Sequence, residues 1–313
     1  MAVFATIVNA LVPIVFVVLL GLIAGWTRLL RAKDSAVLAT IALDFCLPSL
    51  LFGATASVPT AALRDWPFFL GIALGLLIVF AVALAAALLI FRKPIAESSL
   101  QALNSSLPNM AFIGLPVLTA VIGKSALLSV AVGNLISNLV LLPLALTLLA
   151  AGSPSRAGVG RVLAVRNAVL SAVKQPLVWA PLAGIALVVL HVTLPQVVLR
   201  SCSLIGEATS GVALFALGLL LSGQKLHVDL ASAVNVAAKM LAQPAVMCLL
   251  AVVLGVTGLH RREMILLGAL PTASLTPMFA VAYNVYVIES EATVLLSTGL
   301  FVVTLSAVIA LTA

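Results

Sequence analysis

Charged residues are scarce in this chain. Asp, Glu, Lys and Arg make up 8% of its 313 residues, where a soluble domain carries about a quarter. With 64% hydrophobic residues and a mean hydropathy of +1.32, a water-soluble fold is excluded and an all-α polytopic membrane protein is expected. Cysteine is nearly absent. Cys46, Cys202 and Cys248 share no close spacing and lie in or beside apolar runs, so neither a metal site nor a disulfide is expected. There is no P-loop, which argues against ATP-driven work by this chain alone. There is no Ser/His/Asp arrangement and no metal-ligand spacing, so an enzyme is not expected and no cofactor is implied. His191, His227 and His260 fall at the ends of apolar runs and read as interfacial. The connection 152–174 is too short for a separate soluble domain.

What is present is apolar and basic. A net charge of +7 suggests nucleic acid in a soluble protein. Here the basic residues cluster between apolar runs, so the lipid bilayer is the expected partner and nucleic acid is not. Ten runs are long enough to span, at ~20 residues each. They are Val3–Trp26, Ser35–Gly53, Trp66–Phe91, Ser98–Gly123, Ser125–Ala151, Gln175–Val192, Ser201–Ser222, Asp229–Val256, Arg262–Tyr286 and Glu291–Ala313. The first is too long for a signal-peptide core and lacks a basic start, so it reads as a retained span. Five spans (1–151), a basic cytoplasmic linker (152–174) and five more (175–313) give two halves of opposite orientation, an inverted repeat. One side of the membrane collects ten Lys and Arg residues and the other five. The richer side is expected to be cytoplasmic, with both termini outside.

Span four is interrupted by its own residues. Pro108, Gly114 and Pro116 make the stretch from Ser105 to Gly123 a poor continuous helix, and Asn109 sits inside the break. Non-helical backbone survives in hydrocarbon only against protein or a water-filled cavity. A second interrupted stretch, Gly268 to Asn284, carries Pro271 and Pro277 with Thr272, Ser274 and Thr276 around them. An offset of 163 relates Pro108 to Pro271, and also Pro13 to Pro176, Gly21 to Gly184 and Phe52 to Phe215. Paired interrupted spans in matching positions of two halves point to a transporter binding site.

These residues resemble the auxin efflux carrier family, which includes plant auxin exporters and bacterial malonate carriers. The resemblance rests on Ser106-Leu107-Pro108-Asn109 and Gly114-Leu115-Pro116 in the first break. In the second it rests on Ala269-Leu270-Pro271, Pro277, Phe279-Ala280 and Tyr283-Asn284-Val285. Gly211, Phe215 and Leu217-Gly218-Leu219 extend it, and it covers essentially the whole chain. The long cytoplasmic loop of many plant members is absent, as in a bacterial inner-membrane protein. Ala111 stands where many bacterial relatives have glycine. The resemblance implies a scaffold of spans one, two, six and seven, and a moving transport domain of spans three to five and eight to ten. It also implies that spans four and nine cross at their breaks, that the protein is a homodimer, and that Asn109 contacts a substrate carboxylate.

The expected function is secondary transport of a small organic anion, a mono- or dicarboxylate, by an elevator-like movement. A neutral or amino-acid-like substrate, or a channel or sensor on the same fold, is the alternative. Pro108, Asn109, Pro116, Pro271, Thr272 and Ser274 are the candidate binding residues at the breaks. Asn134 and Asn138, four apart on one face of span five, either line the cavity or bond between helices. Asp44 and Lys239 are the opposite charges deep in spans two and eight, and are the candidate coupling residues. Two readings stay open: they pair across the domain boundary, or each finds separate polar neighbours. Lys239 is also a candidate to replace a coupling cation. The acidic sodium ligands of the more distant bile-acid carriers have no counterpart in span nine, so a proton or uniport is favoured over sodium.

Overall fold

The computed structural model describes residues 2–152, 170, 174–224 and 228–312. Most of the expected linker 152–174 and His227 therefore lie outside the described residues. The described chain is helical, apart from turns and a single antiparallel bridge between Pro108 and Thr272. The helices are α1 (Ala2–Trp26), α2 (Ala32–Thr55), α3 (Trp66–Leu89), α4a (Ile95–Ser106) and α4b (Met110–Val121), then α5 (Lys124–Gly152) and α6 (Pro176–Val189). They continue as α7 (Gln196–Leu221), α8 (Leu230–Val253), α9a (Gly258–Gly268), α9b (Thr276–Tyr283) and α10 (Val287–Thr312).

Among the described residues, seven helices are long and apolar enough to cross a membrane: α1 from Val8, then α2, α3, α5, α7, α8 and α10. At 1.5 Å per residue the 24 residues of α3 reach ~36 Å, beyond a ~30 Å hydrocarbon core. Its start is set by Asp65, whose carboxylate accepts from the Phe68 N–H at 3.2 Å, with Pro67 in the first turn where no donor is missed. The expected sixth span is shorter than the run Gln175–Val192. Its helix is 14 residues long, because the chain turns at His191 (φ +56°) and restarts after Pro195. The ends of α4a, α7, α9a and α10 lie a few residues outside the apolar runs, since polar first turns still form helix in the interfacial layer.

Two sets of helices pack closely. α1 lies on the second half of α7, and α2 lies on α6 and α7. A Cβ on Gly21 would fall on the Phe215 carbonyl, and one on Gly184 would fall against the Phe52 carbonyl. Both crossings are therefore backbone on backbone, as small residues permit in a membrane. In the other set α3 packs on α4a and α8, α4a on α5, and α8 on α9a.

Among the described residues, four helices contain a widened π turn: Ile41–Cys46, Met110–Gly114, Ser137–Leu141 and Ala238–Ala242. Each ends two residues before a proline: Pro48, Pro116, Pro143 and Pro244. The cause is local. A proline inside a helix clashes with the carbonyl four residues back. That carbonyl lies in the widened turn in all four cases. The residue just before each proline reaches back five positions: Leu47 to Ala42, Leu115 to Met110, Leu142 to Ser137 and Gln243 to Ala238. Pro13 and Pro181 sit inside helices that stay α. The turns carry or adjoin Asp44, Asn109, Asn138 and Lys239, and π turns recur at functional sites. Pro143→Ala is expected to let α5 regularise. Each residue turns an α-helix by about 100°, so losing the inserted one rotates Asn134 and Asn138 against the rest of α5. Thermal stability in detergent should hold or rise, while uptake falls at least about tenfold. Uptake at the wild-type rate would show that the turn has no functional part.

Candidate functional site

The two interrupted helices meet. α4a ends at Ser106 and α4b begins at Met110, so the first break is only Leu107–Asn109. The second runs from Ala269 to Leu275. The breaks pair as a miniature antiparallel ladder. Asn109 N–H donates to the Pro271 carbonyl at 2.8 Å, and Ala273 N–H to the Leu107 carbonyl at 2.9 Å. Pairing solves the problem that each break poses alone, because a freed backbone group in hydrocarbon costs several kcal/mol. Pro116 is not part of the break. It lies buried inside α4b and sets the π turn at the start of that half-helix.

Side chains satisfy further carbonyls at the crossing. Thr272 Oγ1 donates to the Asn104 carbonyl at 2.8 Å, and Thr276 Oγ1 to Ala273 at 3.1 Å. Gln243 Nε2 donates to the Ser106 carbonyl at 2.7 Å, and Lys239 Nζ to the Gly268 carbonyl at 3.0 Å. Lys239 and Gln243 are one turn apart on α8. Between them they hold the C-terminal ends of both half-helices, the ends that carry partial negative charge. A second layer of polar contacts holds the surroundings. Asn104 Nδ2 donates to Ser290 Oγ at 2.8 Å, and Asn235 Nδ2 donates to Tyr286 Oη at 3.2 Å and to Thr293 Oγ1 at 3.1 Å.

A cavity of about 270 Å³ opens on the other face of the crossing. Pro108, Asn109, Asn134, Asn138, Ser274 and Asp44 line it, with Leu43, Phe112 and Phe279 as apolar walls. Six of the sequence-predicted residues are thus brought together. Pro116, Pro271, Thr272 and Lys239 are not in the wall. Thr272 is turned to Asn104, and Pro271 offers its carbonyl to Asn109. Asp44 and Lys239 do not pair. The first faces the cavity and the second is fully buried on Gly268, so the reading with separate neighbours holds for this structure.

Asn109 caps α4b. Its Oδ1 accepts from the Phe112 N–H at 3.3 Å, and its Nδ2 donates to Ser274 Oγ at 2.9 Å. An amide has two N–H donors, so capping and ligand contact are compatible. Asn134 and Asn138 bond back along α5, to the Val130 carbonyl at 3.0 Å and the Asn134 carbonyl at 2.8 Å. Neither makes the inter-helix bond that was the alternative. The N-termini of α4b and α9b both start at the cavity wall, since Met110, Ala111 and Leu275 line it. Free first-turn N–H groups and positive helix ends make such a wall favourable to an anion.

Three residues of this region were missed in the sequence. Ser137 lines the cavity and is 4% exposed, and its hydroxyl has no partner. It sits three after Asn134 and one before Asn138, so the helical spacing that picked the two asparagines also covers it. Gln175, just before α6, lines the cavity as well. Gln243 was legible as the residue one turn beyond Lys239. Further out, Glu263 of α9a is buried and accepts from Ser129 Oγ of α5. His260, read as interfacial, is held by Asp65 Oδ2 at 2.6 Å and stacks on Phe68. Among the described residues, no group of three or more His, Cys, Asp or Glu side chains is arranged to hold a metal ion.

The pattern of the membrane transport protein family matches residues 6–309. "Uncharacterized transporter YfdV" of Escherichia coli K12 is 31% identical over 304 residues, which is 95% of each chain. "Putative malonate transporter" of Rhizobium meliloti is 26% identical over 311 residues, 96% of this chain and 94% of the relative. "Auxin efflux carrier component 3a" of rice is 31% identical over 121 residues, 36% of this chain and 20% of the relative. The chain thus belongs to the membrane transport protein family, whose pattern it matches almost end to end, and the auxin efflux carriers are among its relatives.

Proposed function

We propose that this protein is a secondary transporter of a small organic anion, a mono- or dicarboxylate, in a bacterial inner membrane. One observation carries the reading: two interrupted helices pair back to back beside a cavity that sets polar side chains among apolar walls, with two half-helix N-termini in its wall. Such a wall favours a carboxylate without burying a full positive charge beside it. The name of the Rhizobium relative makes malonate the first probe.

The movement proposed is elevator-like. The helices read as two inverted five-helix units, 1–151 and 175–313, joined by a cytoplasmic segment at 152–174. Contacts support the repeat. The offset of 163 turns Gly21 into Gly184 and Phe215 into Phe52, and Gly21 packs on Phe215 as Gly184 packs on Phe52. In this reading α1, α2, α6 and α7 form a scaffold through which two copies pair as a homodimer, with all four termini outside. α3 to α5 and α8 to α10 form the part that moves. The cavity takes Leu43, Asp44, Gln175 and Leu177 from the scaffold side, and Asn109, Asn134, Asn138 and Ser274 from the moving side. A substrate held at that boundary changes its exposure as one set slides against the other. Proton coupling is the proposed energy source.

Asn109→Ala is the direct test of the site. It removes a donor to a charged ligand, an interaction worth about 1.5–3 kcal/mol. Malonate affinity should drop about ten- to a hundred-fold by calorimetry in detergent. Ser137→Ala, which deletes the unpartnered hydroxyl, should drop it by about three- to tenfold. Unchanged affinity in both variants would place the site elsewhere.

A further inference from the structure

A second cavity lies away from the crossing, between α8, α9a and α10, and measures about 770 Å³. Its long walls are Leu241, Ala245 and Cys248 on α8 and Val303, Ala307 and Leu311 on α10. The spacing keeps both rows on one face of each helix. Small residues make the floor, while Leu241, Val303 and Leu311 stand exposed on its flanks. Met240 and Pro244 of α8 and Thr304, Val308 and Thr312 of α10 also line it. From Leu241 to Cys248, and from Val303 to Leu311, the groove runs ~10–12 Å along each helix, close to the ~15 Å depth of one leaflet.

Arg261 and Arg262 of α9a line the same groove. Arg261 is exposed and Arg262 half-buried, and the buried Nε of Arg262 has no hydrogen-bond partner. The ion pairs among the described residues lie elsewhere, at Arg31–Asp34, Lys93–Glu97 and Asp65–His260. The neighbouring Glu263 is taken up on the opposite face by Ser129. Two guanidinium groups without acidic partners therefore cap a greasy slot one leaflet deep. A guanidinium fork fits a phosphate, and snorkelling to headgroup level is the ordinary place for such a side chain.

We propose that this groove binds one anionic phospholipid, with its phosphate on Arg261 and Arg262 and one acyl chain along the α8–α10 wall. Apolar walls of leaflet depth select a lipid over a small soluble anion. The unpaired arginines select an anionic headgroup over a neutral or zwitterionic one. The slot is built entirely from helices placed in the moving set, so an occupant would travel with them and not with the scaffold.

Native mass spectrometry of the full-length protein in detergent tests this, with thermal shift in parallel. The probes are phosphatidylglycerol, phosphatidylcholine of the same chains, and glycerol phosphate alone. Phosphatidylglycerol should be retained at least about tenfold better than phosphatidylcholine, and glycerol phosphate should give no shift. Arg261→Gln with Arg262→Gln should remove the preference between lipids. Ala307→Phe, which fills the slot and leaves both arginines, should lower phosphatidylglycerol retention on its own. Equal retention of the two lipids, a preference that survives the double variant, or a shift reproduced by glycerol phosphate would overturn the proposal.

Discussion

Lys239→Met is expected to reduce uptake more than a hundredfold while the protein still folds. Lys239 is 0% exposed, inside a helix long and apolar enough to span the membrane. A charge at that depth costs about 2.5–3.5 kcal/mol on insertion scales, so its presence needs a return. Its ammonium sits on the Gly268 carbonyl, at the negative end of α9a, where a cation offsets the helix dipole. Removing it strands that carbonyl, at about 1–3 kcal/mol, and relieves the burial of the charge. The two changes partly cancel, so stability falls modestly. The function does not benefit from that cancellation. The crossing loses a buried amino group, and the end of α9a loses the contact that fixes it to α8. Lys239→Arg, which keeps the charge, should recover part of the uptake. Wild-type uptake by Lys239→Met, with full expression, would remove Lys239 from the mechanism.

Asp44→Asn is expected to leave anion exchange intact and abolish accumulation driven by a pH gradient. Among the described residues, Asp44 is the sole acidic residue in the cavity wall, and no Lys or Arg lines that cavity. A charged Asp44 and a bound anion in one small cavity repel by about 2–3 kcal/mol at ~6–8 Å and an effective dielectric of ~20. In the proton-coupled reading proposed above, Asp44 carries the proton that crosses with the anion. An Asn at this position is permanently neutral and binds the anion without the proton. Labelled malonate should still exchange across proteoliposomes carrying the variant, and an imposed pH gradient should no longer concentrate it. Because Asp44 and Lys239 do not touch, the losses from Asp44→Asn and Lys239→Met should add in the double variant. pH-driven accumulation by Asp44→Asn would place the proton elsewhere.

The breaks were legible because proline is a local signal. Pro108 and Pro271 each disfavour a continuous helix, and their matching positions said that the two stretches do one job. What the sequence blurred was extent. Pro116 and Pro277 look like the ends of the breaks, yet Pro277 lies in the first turn of α9b and Pro116 lies well inside α4b, after its π turn. The same ambiguity hid the π turns. Proline two residues downstream is their common mark, but Pro13 and Pro181 lie inside helices without one, so the mark alone does not suffice.

Candidate residues divide in a similar way. Asn109, Asn134 and Asn138 stand out as polar residues in apolar spans, and the fold gathers them around one cavity. The partner of Lys239 was not readable. Gly268 has no side chain to mark it, and the contact depends on where α9a happens to end. Glu263 was masked by its neighbours, since Arg261 and Arg262 make the segment look interfacial while the next residue points into the protein.

The most direct test of the central claim is uptake of labelled malonate, with a panel of other mono- and dicarboxylates, into proteoliposomes holding the purified protein under an imposed pH gradient. The expected result is saturable uptake of at least one of these anions against its own gradient. It should be abolished by collapsing the pH gradient and reduced about ten- to a hundred-fold at limiting substrate by Asn109→Ala. Uptake that rises linearly with concentration, runs only downhill and is indifferent to Asn109→Ala would contradict it, and would make the crossing the wall of a channel.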